Sequence, residues 1–208
     1  MCEGTLTIKY GPMFSGKTTE LVKDVGSIVS THNDTAIAII NSKMDTREEI
    51  NRTTNLTTHS TFIKDFREND SCKILYFKLE KIEEIFPYIR ENNKIRYLFI
   101  DESQFYSDLE TEVKKLVDLG LHVYCYGLIS DYNMENFGNL KQLFSYADEI
   151  KQLYAVCKQC IAEGNKKENS KAMFTMLRQQ DVRTEEGQIL IGFSDKYEST
   201  CRYHHRKV

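Results

Sequence analysis

Apolar residues along this 208-residue chain fall into two patterns. Short, β-branched runs at 5–10, 35–40, 74–77, 96–100, 121–128 and 149–155 predict strands. Between several of them, apolar positions recur at helical spacing. Stretch 17–29 places Leu21, Val25, Ile28 and Val29 on one face. Stretch 79–90 reads as a second helix, and 109–119 as a third, closed by Gly120. Strands alternating with helices need crossover connections, so the expected architecture is α/β: a mainly parallel sheet with helices on both faces. Residues 41–67 are polar and give no clear element.

The pattern changes near Cys157. Residues 162–186 are rich in Lys, Glu and Asn, interrupted by the apolar stretch 173–177, and the last strong apolar run is 189–191. The reading is a body of residues 1–156 and an appended subdomain of residues 157–208. Some fifty residues with so few apolar side chains need a staple to fold.

Composition narrows the function classes. Lys+Arg is 28 against Asp+Glu 31, a formal net charge of −3, and the sequence pI is near 6.0. No basic surplus points to nucleic acid as a partner. The longest apolar runs, such as Ala36-Ile37-Ala38-Ile39-Ile40, fall far short of the ~20 residues of a membrane helix, so no membrane partner is expected. Met1-Cys2-Glu3-Gly4 lacks the layout of a signal peptide. The expectation is a cytoplasmic protein in which closely spaced cysteines hold metal rather than form disulfides.

Three motifs carry chemistry. Gly11-Pro12-Met13-Phe14-Ser15-Gly16-Lys17-Thr18 matches the phosphate-loop pattern G-x-x-x-x-G-K-[ST] and falls between a predicted strand and a predicted helix. Its glycines let backbone N–H groups face phosphate oxygens, Lys17 supplies a point charge, and the Thr18 hydroxyl can ligate Mg²⁺. This makes the body P-loop NTPase-like. Next, Tyr97-Leu98-Phe99-Ile100-Asp101-Glu102 is an apolar strand ending in two carboxylates. Beside a phosphate loop, Asp101 would join the Mg²⁺ shell, leaving Glu102 to accept a proton from an attacking hydroxyl. Finally, Cys157 and Cys160 form one half of a zinc site, and Cys201 with His204 has the spacing of the other half. His205 is one residue further, and His204 is preferred because its gap mirrors Cys157–Cys160. Cys2, Cys72 and Cys125 have no such partners, and Cys125 reads as core. Asp45 and Arg47 follow a strand and can face the site or solvent. Phe105, Tyr132 and Phe137 can form an apolar slot for a base or serve as core.

Taken together, Gly11 to Thr19, Phe99-Ile100-Asp101-Glu102-Ser103-Gln104-Phe105, Cys157-Lys158-Gln159-Cys160, and Asp195-Lys196-Tyr197 ahead of Cys201 resemble the type II, zinc-containing thymidine kinases. The order and rough spacing match from about Thr5 to His204. The resemblance implies transfer of the ATP γ-phosphate to the 5′-hydroxyl of thymidine, with deoxyuridine as a further acceptor, for salvage synthesis of dTMP. Alternatives of another class are a zinc-ribbon P-loop ATPase acting on nucleic acid and a nucleotide-binding module without kinase activity.

Residue by residue, the resemblance implies Glu102 as general base and Asp101 in the metal shell. It places Asp45 and Arg47 at the acceptor end. ATP phosphates would lie on Gly11, Pro12, Met13, Phe14, Ser15, Gly16, Lys17, Thr18 and Thr19. Met13, Phe105, Leu128, Tyr132, Phe137, Ile191, Gly192 and Tyr197 would line the thymine pocket, under a lasso held by a structural Zn²⁺ on Cys157, Cys160, Cys201 and His204. A homotetramer inhibited by dTTP is also implied. The chain departs from the pattern at Leu128-Ile129-Ser130-Asp131-Tyr132, where relatives read Leu-Asp-Gly-Thr-Phe. It departs again at Gly192-Phe193, usually Gly-Gly, and at His204, usually Cys.

Overall fold

The computed structural model describes residues 3–44, 72–178 and 196–206. Asp45, Arg47, Ile191 and Gly192, on which part of the expected site rests, lie outside the described residues. Six strands form one sheet: β1 (Thr5–Tyr10), β2 (Thr35–Ser42), β3 (Cys72–Leu79), β4 (Ile95–Ile100), β5 (His122–Gly127) and β6 (Glu149–Gln152), in the order β3-β2-β4-β5-β1-β6. Every pairing in it is parallel. All six strand C-termini therefore open on one edge, where α/β sheets take their ligands.

Side chains alternate across the sheet, as pleating dictates. Ile37, Ile39, Phe99 and Tyr126 face Leu21, Val25, Ile28 and Val29 of α1 (Lys17–Thr31). Ala36, Ala38, Ile40, Leu98, Ile100, Val123 and Cys125 face the other way, onto Leu109, Val113 and Leu116 of the 109–118 helix. Helices thus cover both faces. Helix α1 is also held electrostatically: Asp24 takes the Lys9 ammonium of β1 at 2.6 Å and the Tyr126 hydroxyl of β5 at 2.5 Å. Burial, then that carboxylate, push the Tyr126 phenol well above its usual range.

Two expected elements divide differently. The 79–90 stretch is not one helix. Strand β3 runs through Leu79, a 3₁₀ turn follows at Ile82–Ile85, and the helix α2 is confined to Phe86–Glu91. Pro87 sits in its first turn, where a missing N–H costs nothing. After it come α3 (Leu109–Asp118), α4 (Lys158–Ala162) and α5 (Arg202–His205). The 149–155 stretch is likewise two strands. β6 ends at Gln152, opposite Tyr10, because beyond it β1 gives way to Gly11 and Pro12. The chain then enters β7 (Ala155–Val156), which pairs antiparallel with β8 (Lys171–Ala172). A second small sheet joins β9 (Phe174–Leu177) to β10 (Tyr197–Thr200). Around β7 and β8 the interior of this annex is Ala155, Cys157, Cys160 and Ala172 with Cys201 packed against them, methyls and thiols, while Leu177 and Tyr197 of β9 and β10 form a separate small cluster.

Leu98 lies fully buried in β4, between β2 and β5. Leu98→Ala should cost about 2–5 kcal/mol, read as a lower urea midpoint at constant slope. An unchanged midpoint would show that the layer collapses around the deletion.

Candidate active site and metal centre

The phosphate loop bridges β1 and α1. Gly16 takes φ +81° at the start of α1, a conformation glycine adopts without strain. Gly11 is required for space: a Cβ there would lie 2.5 Å from the Leu153 carbonyl oxygen and 2.6 Å from Ser15 Oγ. By helix geometry, the N–H groups of Lys17, Thr18 and Thr19 in the first turn have no intrahelical acceptor, and the macrodipole favours an anion there. The Lys17 ammonium is buried and folds back onto the carbonyls of Gly11, at 3.3 Å, and Pro12, at 3.1 Å. Phe14, at φ +61°, stands exposed at the loop's tip.

Asp101 and Glu102 follow β4 directly. Thr18 Oγ1 donates to Asp101 Oδ2 at 3.4 Å, so the loop and the carboxylate pair meet at the open edge of the sheet. Glu102 has left-handed backbone angles (φ +48°, ψ +46°), which carry a cost for a residue with a Cβ. Its N–H donates back to Asp101 Oδ1 at 2.9 Å. Both carboxylates are buried. Gln104, buried as well, donates from Nε2 to Glu102 Oε2 at 2.7 Å and accepts from the Leu128 N–H at 2.9 Å. It lies within the quoted Phe99–Phe105 motif, and sequence reasoning gave it no role.

The expected base-pocket residues gather in two groups. Phe105 and Phe137 meet edge to face at 5.8 Å. Tyr197 packs with Leu177, Met13 and Tyr132, the two tyrosine rings 6.3 Å apart. Leu128 directly follows β5 and lines a cavity with Tyr10, Gly11, Pro12 and Phe174. Segment 128–132 is shaped by its own residues. Asp131, buried, accepts the N–H groups of Asn133 and Glu135 at 2.8 and 2.9 Å, and Phe137 N–H donates to the Ile129 carbonyl.

The phosphate loop is also gripped from the annex. Met13 N–H donates to Thr175 Oγ1 at 3.0 Å, and Ser199 Oγ donates to the Met13 carbonyl at 2.5 Å. Thr175 and Ser199 face each other across β9 and β10. No sequence pattern marks these two hydroxyls; Thr175 lies in an apolar strand, Phe174–Leu177, and Ser199 in a largely polar one, Tyr197–Thr200.

Beyond β10, Cys157, Cys160, Cys201 and His204 present four donor atoms within 4.8 Å of one another. His204 Nδ1 lies 3.4, 3.5 and 3.2 Å from the sulfurs of Cys157, Cys160 and Cys201. Cys160 and Cys201 sulfurs are 3.7 Å apart. Zn–S bonds of ~2.3 Å in a tetrahedron put sulfurs ~3.8 Å apart, so the quartet fits zinc with no fifth place for substrate. His204 Nε2 meets Glu163 Oε1 at 3.0 Å, which directs Nδ1 to the thiols. That carboxylate is the main cause raising His204 to about 9, against burial. Burial, then the other two thiols, push Cys160 up to about 12. Burial also opposes ionisation of Cys201, but hydrogen bonds with His204 and Cys160 outweigh it and bring that thiol to about 7. His205 points elsewhere, to the Tyr132 carbonyl at 3.0 Å, which decides between the two histidines. Cys125, sealed in the core, is pushed up to about 12 by burial.

A family model described as thymidine kinase matches residues 4–205. A thymidine kinase of Ureaplasma urealyticum serovar 10 is 30% identical over 210 residues, covering 98% of this chain and 83% of the relative. Thymidine kinase a of Arabidopsis thaliana is 32% identical over 203 residues, covering 97% and 75%. A thymidine kinase of Mesomycoplasma hyopneumoniae (strain 7448) is 29% identical over 208 residues, covering 98% and 96%. Among solved structures, domain III of the Thermotoga maritima replication initiation protein DnaA aligns with a TM-score of 0.41 and 17% identity, covering 71% of this chain and 54% of that one.

Glu163→Ala should weaken zinc binding by about 10–100-fold, since it frees the imidazole that Glu163 orients. Zinc affinity should also fall on acidification, as thiolates and imidazole take up protons that compete with the metal. Competition with a chromophoric chelator measures both. Unaltered affinity in the variant would mean that packing alone orients His204.

Proposed function

The chain belongs to the thymidine kinase family, and we propose that the edge formed by the phosphate loop, Asp101 and Glu102 is where it passes the γ-phosphoryl group of ATP to the 5′-hydroxyl of thymidine. Thymidine and ATP are its substrates. The observation that carries the siting is the 3.4 Å contact between Thr18 Oγ1 and Asp101 Oδ2, which joins a phosphate cradle to a carboxylate pair.

In this reading the first-turn N–H groups of α1 and the Lys17 ammonium bind the phosphates and draw off the charge that develops during transfer. Hydroxyl and carboxylate oxygens are the hard donors that Mg²⁺ prefers; Thr18 and Asp101 would hold it, and when bound it neutralises phosphate charge. Glu102, in its left-handed turn, takes the 5′-hydroxyl proton as the oxygen attacks. Phe105, Phe137, Leu128, Met13, Tyr132 and Tyr197 enclose the base, with Ile191 and Gly192 completing the cover. Asp45 and Arg47 act at the acceptor end. Cys157, Cys160, Cys201 and His204 hold a structural Zn²⁺ that braces the hairpin β9–β10.

Family membership further supports a cytoplasmic homotetramer with feedback by dTTP, a product-derived ligand that offers both a thymidine and a phosphate chain to this edge. Among the described residues no helix is long and apolar enough to cross a membrane. The two-part division, residues 1–156 for ATP and catalysis and 157–208 for zinc and substrate cover, is supported by the thiol-lined interior of the annex.

Two measurements test the reading. A nucleoside panel with ATP and Mg²⁺, products resolved by chromatography, should give thymidine monophosphate first and deoxyuridine monophosphate at a lower rate. One methyl group is worth only ~1–3 kcal/mol of discrimination. Preference for a purine deoxynucleoside would overturn the pocket assignment. Glu102→Gln should slow phosphoryl transfer by about 10²–10⁴-fold with ATP affinity nearly unchanged. Full turnover in that variant would remove Glu102 from the chemistry.

A further inference from the structure

We infer that Gln104 is a positioning residue for phosphoryl transfer: it sets the orientation of the Glu102 carboxylate and ties it to the wall of the nucleoside slot. The inference rests on the proposed role of Glu102 as base. It stands on three observations. Gln104 is only 4% exposed and spends both ends of its amide, Nε2 on Glu102 Oε2 and Oε1 on the Leu128 N–H. The amide can be placed only one way round. A backbone N–H can only donate, so the carbonyl end must face Leu128 and the NH₂ end must face Glu102.

The surroundings leave this amide no other course. A Cβ at Gly127 would lie 2.7 Å from Gln104 Oε1, and one at Gly138 would overlap the Gln104 backbone carbonyl. Gly138 itself takes φ +63°. Two glycines, from β5 and from the loop after Phe137, thus open the space that Gln104 fills. Its neighbour Phe105 meets Phe137 edge to face, and Leu128 is the residue proposed above to line the same slot.

The physical consequence is a link between acceptor binding and base geometry. Glu102 sits on a strained backbone that defines where its side chain starts, while rotation of its carboxylate about the terminal bond is set by the groups that hydrogen-bond it, Gln104 among them. A short hydrogen bond to a charged acceptor, worth more than a neutral one, fixes that rotation. The other end of the amide is pinned to Leu128, so a nucleoside that presses Leu128 into place also sets the carboxylate. The near-attack geometry needed for transfer is sensitive to such small displacements.

The test is a double-mutant cycle between Gln104 and Glu102, run on the zinc-loaded full chain with thymidine and ATP. Gln104→Met keeps the length and removes both hydrogen bonds. It should lower kcat by about 10–100-fold while the KM for ATP changes by less than about twofold. Gly127→Ala, which pushes on Oε1 without altering Gln104, should lower kcat in the same direction and serves if the first variant folds poorly. In a Glu102→Gln background, Gln104→Met should add less than about twofold, because its route to the reaction has been removed. Loss of the same factor in both backgrounds would mean that Gln104 serves packing alone, and would overturn the inference while leaving Glu102 as base. Full turnover in Glu102→Gln by itself would remove the base, and this inference with it.

Discussion

Both backbone hydrogen-bonding groups of one residue, Met13, are held from outside the loop to which it belongs. Its N–H rests on Thr175 and its carbonyl takes the Ser199 hydroxyl. A phosphate loop is normally shaped by its own glycines and the helix behind it. Here the tip is also fixed by a hairpin that leads straight into Cys201 and His204. Cys201 and His204 of the Cys/His quartet follow that hairpin, the hairpin grips the loop, and the loop carries Thr18 to Asp101. Tyr197, from the same hairpin, closes on Met13 and Tyr132. The phosphate loop, the Tyr197–Tyr132 cluster and the strand leading to the Cys/His quartet therefore meet at one short piece of backbone.

How much of this was legible in the sequence follows from how local each signal is. The phosphate loop is eight consecutive residues, so its pattern survives without knowledge of the fold. The quartet at 157, 160, 201 and 204 was legible because each half repeats one spacing, although the choice between His204 and His205 needed the Tyr132 carbonyl. Alternating helices and strands fixed the sheet and its covering helices. The divided elements failed for a local reason in each case: Pro87 decided where α2 begins, and the loss of a partner beyond Tyr10 decided where β6 ends. Gln104, Thr175 and Ser199 were not legible as functional. Their meaning lies in contacts made across 24, 162 and 186 residues of chain, and no periodicity encodes that.

The segment 128–132 shows how a departure from a family pattern can be absorbed. Set against the pattern that the resemblance implies, it lacks Asp and Gly at its second and third positions, yet it makes a tight return. Asp131 supplies the means, its carboxylate taking two backbone N–H groups in succession, while Met134 accepts the positive φ of +65° that the turn requires. His205 hydrogen-bonds the Tyr132 carbonyl.

The place of β1 in the sheet has a consequence for the order in which the molecule can assemble. β1 is the first strand in the chain, but both its neighbours come late: Thr5 is bonded to His122 across 117 residues, and Leu6 to Asp148 across 142. β2, β3 and β4 pair among themselves with shorter closures. During synthesis they can form a partial sheet, while β1 waits for β5 and β6 to leave the ribosome. Long closures carry an entropic cost before any contact rewards them, and parallel pairing of this range is slow. The nucleotide cradle is thus encoded early and built late. Until β5 is complete at Gly127, an apolar strand and a glycine-rich loop have no sheet partner, and the other edge of β1 stays open until β6 ends at Gln152.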